Sequence, residues 1–312
     1  MPMKNQTTVT EFILLGLSSE PQMQIFLFLV VLIIYLITLV GNIVIMVAIR
    51  ANSHFHTPMY FFLFHLSFVD ICYSSVTVPN ALRNFLAEHK TISVNGCIAQ
   101  MFFILLSAGA ESFILSATVY DRYAAICDPL RYMEIMRKGI CVQLVSGAWT
   151  TDFIYALLNT IFTLKLHFCG SSQIHHFSCE LPPLLKLACT ETLTNQVVLL
   201  TSVVIFVSIS LLLLLISYIY IISTILRIRS AEGRHKAFST CSSHLIVVGL
   251  LYLIGFLQYK NPRSVSSVLL DEIFSIHYSV LTPMLNPIIY SLKNKEVKTA
   301  LRKILGKLKF IR

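Results

Sequence analysis

Charge is what this sequence has little of. Asp, Glu, Lys and Arg make up only 12% of its 312 residues, 15 acidic against 24 basic. Soluble domains carry about 25%, so a globule bathed in water on all sides is excluded. Between Pro21 and Ile49, and again between Thr192 and Leu226, there is no charged residue at all. Also lacking are a low-complexity linker, a solenoid-like repeat and any HExxH histidine pair. One domain over 1–312 is therefore expected, made of a tail (1–24), a bundle (25–292) and a second tail (293–312). No signal peptide is expected, because "MPMKNQTTVTEF" is polar and the first apolar block is too long for a signal core.

What is present is apolar residue in blocks. The chain is 56% hydrophobic with a mean hydropathy of +0.75. Crossing ~30 Å of hydrocarbon takes about 20 apolar residues at ~1.5 Å each. Seven blocks meet that need, at about 25–49, 58–81, 98–120, 141–161, 197–226, 237–259 and 273–292. The expected fold is an all-α integral membrane protein with seven transmembrane helices. Beyond them, Val297, Ala300, Leu301, Ile304, Leu305 and Leu308 share one helical face opposite lysines and arginines. That pattern predicts a short amphipathic helix lying on anionic membrane lipid. No cysteine follows Cys241, so this helix offers no palmitoylation point.

The basic residues orient the bundle. One side holds Arg50, Arg122, Arg131, Arg137, Lys138, Arg227, Arg229, Arg234, Lys236 and eight more from Lys293 to Arg312, which is 17 of the 24. The other holds Lys4, Arg83, Lys90, Lys165, Lys186, Lys260 and Arg263. The richer side is expected to be cytoplasmic, which places the N-terminus outside. Asn5, in an Asn-Gln-Thr sequon of the outer tail, is then a glycosylation candidate. Cys97, Cys169, Cys179 and Cys189 fall at outer loops, where disulfides persist. Positive charge confined to short loops beside membrane ends speaks against a nucleic-acid partner.

Asp70, Glu111 and Asp152 lie inside apolar blocks, where an acid costs roughly 2.5–3.5 kcal/mol. Asp70 and Glu111 are expected at one depth, with Asn42 and Asn286 close enough to add amide oxygens. Such a set would suit a hard cation such as a structural sodium ion, or a shared proton; packed neutral acids are the plainer reading. No other cofactor is expected, and Asp152 receives no role. In "PMLNPIIY" (283–290), Pro287 removes a backbone hydrogen bond, leaving either a hinge or a static kink. Met101, Ile104, Leu105, Ala108 and Ser112 recur at helical spacing on one face, as a ligand wall or as plain helix packing. "HHFSCE" (175–180) has soft-metal ligand types, set against the plainer reading of solvated loop histidines.

Taken together, "GN" at Gly41-Asn42, "HTPMYFFLFHLSFVD", "VYDRYAAICDPLRY", "KAFSTCSSHL" and "PMLNPIIYSL" resemble an olfactory receptor of the tetrapod-type branch, within the rhodopsin-like G-protein-coupled receptors. The resemblance runs from Asn5 to Leu301. It implies an odorant cavity completed by Ser202, Phe206, Tyr252, Gly255, Phe256, Tyr259, Ile276 and Ser279, suited to a small neutral volatile. It implies bridges Cys97–Cys179 and Cys169–Cys189, the first of which leaves no thiolate for a metal in "HHFSCE". It implies a switch at Asp121, Arg122, Tyr123, Asn286, Pro287 and Tyr290, with Arg122 held by Asp121 at rest and freed for a heterotrimeric G protein of stimulatory type. Its implied location is the plasma membrane of sensory cilia. Departures are Thr118-Val119 before Tyr120, Leu251-Tyr252-Leu253 in the sixth block, and Arg234 where many relatives carry an acid. A transporter or channel is the rival class, disfavoured by seven spans without internal symmetry. An enzyme is disfavoured further, because no nucleophile, base or ligand set surrounds the acids.

Overall fold

The computed structural model describes residues 9–16, 20–169, 171–227, 230–234, 238, 249 and 276–293. A strand β1 (Glu11–Leu14) leads into α1 (Pro21–Ala51) and α2 (Pro58–Leu86). A strand β2 (Thr91–Ser93) precedes α3 (Val94–Cys127), the short α4 (Tyr132–Ile135) and α5 (Lys138–Leu164). Then come β3 (Gln173–Ile174), the short α6 (Leu181–Leu185) and α7 (Leu193–Arg227). The last span has a π-helical stretch, His277–Leu281, running into α8 (Thr282–Lys293). Almost all of the sixth apolar block, the tail helix and Asn5 lie outside the described residues.

Five helices among the described residues are long and apolar enough to cross a membrane. They run 27 to 35 residues, or roughly 40–52 Å against ~30 Å of hydrocarbon. This excess is why the apolar blocks understate their length. Hydropathy registers the immersed part, whereas α3 begins at Val94, where Ser93 caps the Gly96 N–H at 3.1 Å, and continues to Cys127. Over their apolar windows α2 and α3 are 56% and 50% buried, but α1 and α7 only 11% and 6%. So α2 and α3 form the centre, and α1 and α7 turn most of their surface to lipid.

Two prolines lie inside helices, Pro79 in α2 and Pro287 in α8, and the second is answered from a neighbour. Pro287 has no N–H for the Pro283 carbonyl. Asn42 of α1 supplies the missing donor, its Nδ2 lying 3.0 Å from Pro283 O. Gly41 permits that approach, since a Cβ there would stand 3.3 Å from the Pro287 ring. Near Pro79 in α2, Gln100 of α3 donates from Nε2 to the Val76 carbonyl at 2.9 Å.

One end of the bundle carries a three-stranded sheet in the order β2-β1-β3. β1 runs antiparallel to β2, with Glu11 opposite Ser93, and parallel to β3, with Ile13 opposite Gln173. Phe12 and Leu14 are wholly buried in one apolar cluster with Cys97, Met101, Ile174, Leu181 and Leu184. Disulfides Cys97–Cys179 and Cys169–Cys189 tie the α5–α7 connection down at the same end. Gln100 adds a third tie, accepting the Cys179 N–H on Oε1 at 2.9 Å.

Candidate functional site

At the centre, Asp70, Glu111, Asn42 and Asn286 are all buried, none more than 2% exposed. α2, α3, α1 and α8 each bring one of them. Asn286 donates from Nδ2 to both Asp70 oxygens at 3.1 Å and stands beside Glu111, itself an electrostatic neighbour of Asp70. This corrects the expectation of four oxygens pointing inward. Asn286 turns its nitrogen, not its oxygen, to Asp70, and Asn42 spends its nitrogen on the Thr38 and Pro283 carbonyls. What remains are three buried acceptors without a partner: Asn42 Oδ1, Glu111 Oε1 and Asn286 Oδ1. Buried acceptors of this kind call for a proton, a water or a cation. Among the described residues no group of three or more His, Cys, Asp or Glu side chains could hold a metal ion.

At the end opposite the sheet, the fully buried Asp121 carboxylate holds two partners. Its Oδ2 accepts from Arg122 Nε at 2.9 Å and also from Nη2. Its Oδ1 accepts from the Tyr132 hydroxyl at 2.8 Å. The expected Asp121–Arg122 pair is present, and Tyr132 is a member that the sequence reading missed. Only its place in "DPLRY", five residues beyond the end of α3, hinted at a return toward that helix. Burial, and after it the Asp121 charge, push the Tyr132 hydroxyl up, so it stays a neutral donor. Tyr123 packs on Tyr120 and, edge-on at 5.9 Å, on Tyr220 of α7. Arg234 makes no ion pair among the described residues. Pro287 sits in α8, and so does the backbone of Tyr290, whose side chain lies outside the described residues.

The expected ligand wall is split by the structure. Met101 is fully buried beneath β1, its sulfur 4.0 Å from the Thr163 hydroxyl, and Ile104 is 6% exposed. Leu105, Ala108, Ser112, Ser202, Phe206 and Ile276 are half-buried, and Ser279 is buried. Ser112 donates to the Ala108 carbonyl at 3.0 Å, and Ser202 to those of Val198 and Leu199. Both hydroxyls thus commit their hydrogens to their own helices, and Ser202 also neighbours the Tyr155 hydroxyl of α5. Phe206 meets Phe113 of α3 at 5.3 Å and Tyr155 of α5 at 6.0 Å. Neither aromatic was anticipated, though both follow from helical spacing. Tyr252, Gly255, Phe256 and Tyr259 lie outside the described residues.

Asp152 is 1% exposed and its Oδ2 has no hydrogen-bond partner. It packs on α3 at Gly109, where a Cβ would overlap the carboxylate. In "HHFSCE", the Ser178 N–H donates to His176 Nδ1 at 3.2 Å, while His176 Nε2 lies 3.8 Å from Glu180. With Cys179 in a disulfide, that segment is a tied turn.

The family model for olfactory receptors matches residues 31–308. Human olfactory receptor 2F1 is 49% identical across 97% of this chain and 96% of its own length. The canine olfactory receptor-like protein OLF3 is 48% identical across 97% and 96%. Mouse olfactory receptor 5G9 is 45% identical across 98% of each. With an apolar bundle, two disulfides at one end and a buried Asp-Arg-Tyr knot at the other, these likenesses decide the matter: the chain belongs to the olfactory receptor family, multi-pass G-protein-coupled receptors of the plasma membrane and not enzymes.

Proposed function

We propose that this receptor binds a small, mostly apolar volatile in the half of the bundle below β1, and that binding opens the opposite end to a stimulatory-type G protein. The observation that carries the reading is α3 itself. One rigid helix bears Leu105, Ala108 and Ser112 in its first half and the Asp121–Arg122 pair, latched by Tyr132, in its second. A ligand that fits the open arrangement better than the closed one shifts the population and releases Arg122. The Ser112 hydroxyl, whose hydrogen is already committed to the Ala108 carbonyl, favours a ligand with a hydroxyl or other single donor. The basic-residue count and the disulfides support placing the β1 end outside; sensory cilia as the location rests on the family, and the tail helix on inner-leaflet lipid rests on its amphipathic sequence pattern.

The test is a panel of small neutral volatiles on transfected cells supplied with the stimulatory G protein. A second-messenger rise is expected in wild type. Arg122→Ala should abolish it at normal surface delivery, and Asp121→Asn should raise ligand-free signal. A full response from Arg122→Ala would overturn the mechanism.

The three unpartnered oxygens favour a second reading. Asp70, Glu111, Asn42 and Asn286 would hold a sodium ion that braces the closed bundle. Glu111→Gln and Asp70→Asn should each reduce sodium sensitivity, and the double variant should lose no more.

A further inference from the structure

A groove of about 250 Å³ lies between α6 and the first turns of α7, lined by Pro182, Leu185, Lys186, Gln196, Leu199 and Leu200. Its two sides face different surroundings. Leu200 is 53% exposed and continues the exposed apolar row of Val197 and Val204, so the mouth lies on the outward face of α7, the face that apolar composition assigns to lipid. Leu185 and Leu199 instead belong to the cluster that contains Met101 and Leu105. The floor and two residues of the expected ligand wall therefore belong to one continuous apolar cluster. Among the described residues the approach from the β1 end is occupied, since Phe12 and Leu14 fill that same cluster and β1 is paired along both edges. At the rim Lys186 forms no ion pair among the described residues. Gln196 donates from Nε2 to Thr192 at 2.9 Å, which leaves its carbonyl as an acceptor.

We propose that this groove is an access site where small neutral amphiphiles, already dissolved in the membrane, dock before passing Leu199 into the bundle. The occupant is a short-chain apolar molecule with one hydrogen-bonding group: the chain lies on Leu185, Leu199 and Leu200, and the polar end meets Lys186 and Gln196. The mix of apolar lining and two polar rim groups is that of a small-molecule site, at a volume just under the usual range of roughly 300–1,000 Å³. A lipophilic ligand is concentrated by the bilayer, so a side route serves it better than a lidded one. The inference rests on the ligand class proposed above and adds where that ligand first binds.

The probe is 3-azioctanol, a photoreactive aliphatic alcohol, applied to the purified full-length receptor in phospholipid nanodiscs. Labelled peptides are mapped by mass spectrometry. Saturable labelling of 182–186 and 196–200 is expected, protected by excess octan-1-ol. Leu199→Trp should weaken it about tenfold, the equivalent of ~1.4 kcal/mol of binding, while the lipid-facing Ile33 and Leu36 of α1 stay labelled as before. Leu200→Trp, at an exposed position that tolerates bulk, is the second variant. Groove labelling that octan-1-ol does not protect, or that both variants leave unchanged, overturns the proposal. Saturable labelling in a receptor that answers no volatile would support the groove and count against the receptor reading alone.

Discussion

The contact between Gly109 and Asp152 makes a prediction that can be worked through in energies. A methyl group at position 109 would overlap the Asp152 carboxylate, and Asp152 is buried on every side, so it cannot swing into water. Forcing a methylene into such packing costs about 1–3 kcal/mol. Gly109→Ala should therefore destabilise the receptor by that amount. Asp152→Ala removes a buried oxygen without a partner, a relief of roughly 1–3 kcal/mol, against a small cavity of comparable cost. It should lie within about 1 kcal/mol of wild type by that balance. The double variant should then resemble Asp152→Ala, because the obstacle has gone. Thermal unfolding of the solubilised receptor, read through reaction of the buried free Cys141 with a fluorogenic maleimide, gives the four midpoints. The expected coupling is at least about 1 kcal/mol in favour of the pair. Additivity within ~0.3–0.5 kcal/mol, the scatter of independent sites, would refute the reasoning.

Gln100→Leu should orphan the Cys179 N–H, at about 1–3 kcal/mol, remove the tie to the Val76 carbonyl, and sharply lower surface delivery. Asn42→Leu should destabilise by a similar ~1–3 kcal/mol, and Pro287→Ala in the same chain should restore much of the loss by returning an N–H to the Pro283 carbonyl. Cys97→Ser and Cys179→Ser should each damage surface delivery, with the double variant little worse, since both remove one bridge. Because its hydroxyl is pushed up by burial and then by Asp121, Tyr132 keeps its proton from about pH 7 to 9; its stabilising effect, present below the ordinary tyrosine value, is lost only above that window. The difference in ligand-free signal between wild type and Tyr132→Phe should accordingly stay constant across it.

Long apolar runs were readable in the sequence because lipid imposes one rule on every residue it touches. α1 and α7, the most lipid-exposed helices, were the plainest blocks. The pairing of Asp121 with Arg122 was readable because both sit at one helix end. What stayed hidden depends on distance along the chain. β1 is four residues long, and nothing in "EFIL" says that Gln173 will lie beside Ile13. Gln100 is one polar residue in an apolar helix, and its two partners belong to α2 and to the Cys179 segment. The orientation of Asn286 was misjudged because an amide has two ends, and only the Asp70 carboxylate opposite it selects the nitrogen. Pro287 did carry a usable signal. A proline in a buried helix leaves one carbonyl wanting a donor, and Asn42 was already singled out as a buried amide.

The pairing of β1 sets an order on biosynthesis. Glu11 is made early, but its partner Ser93 follows only after two membrane helices, and Gln173, opposite Ile13, only after α5 is complete. Until the ribosome has passed Ser93 the first segment has no edge to join, and until it has passed Gln173 one edge stays open and Phe12 and Leu14 lack part of their cluster. A chain stalled or truncated before β3 would present an apolar strand with one edge permanently open, a natural mark for quality-control recognition.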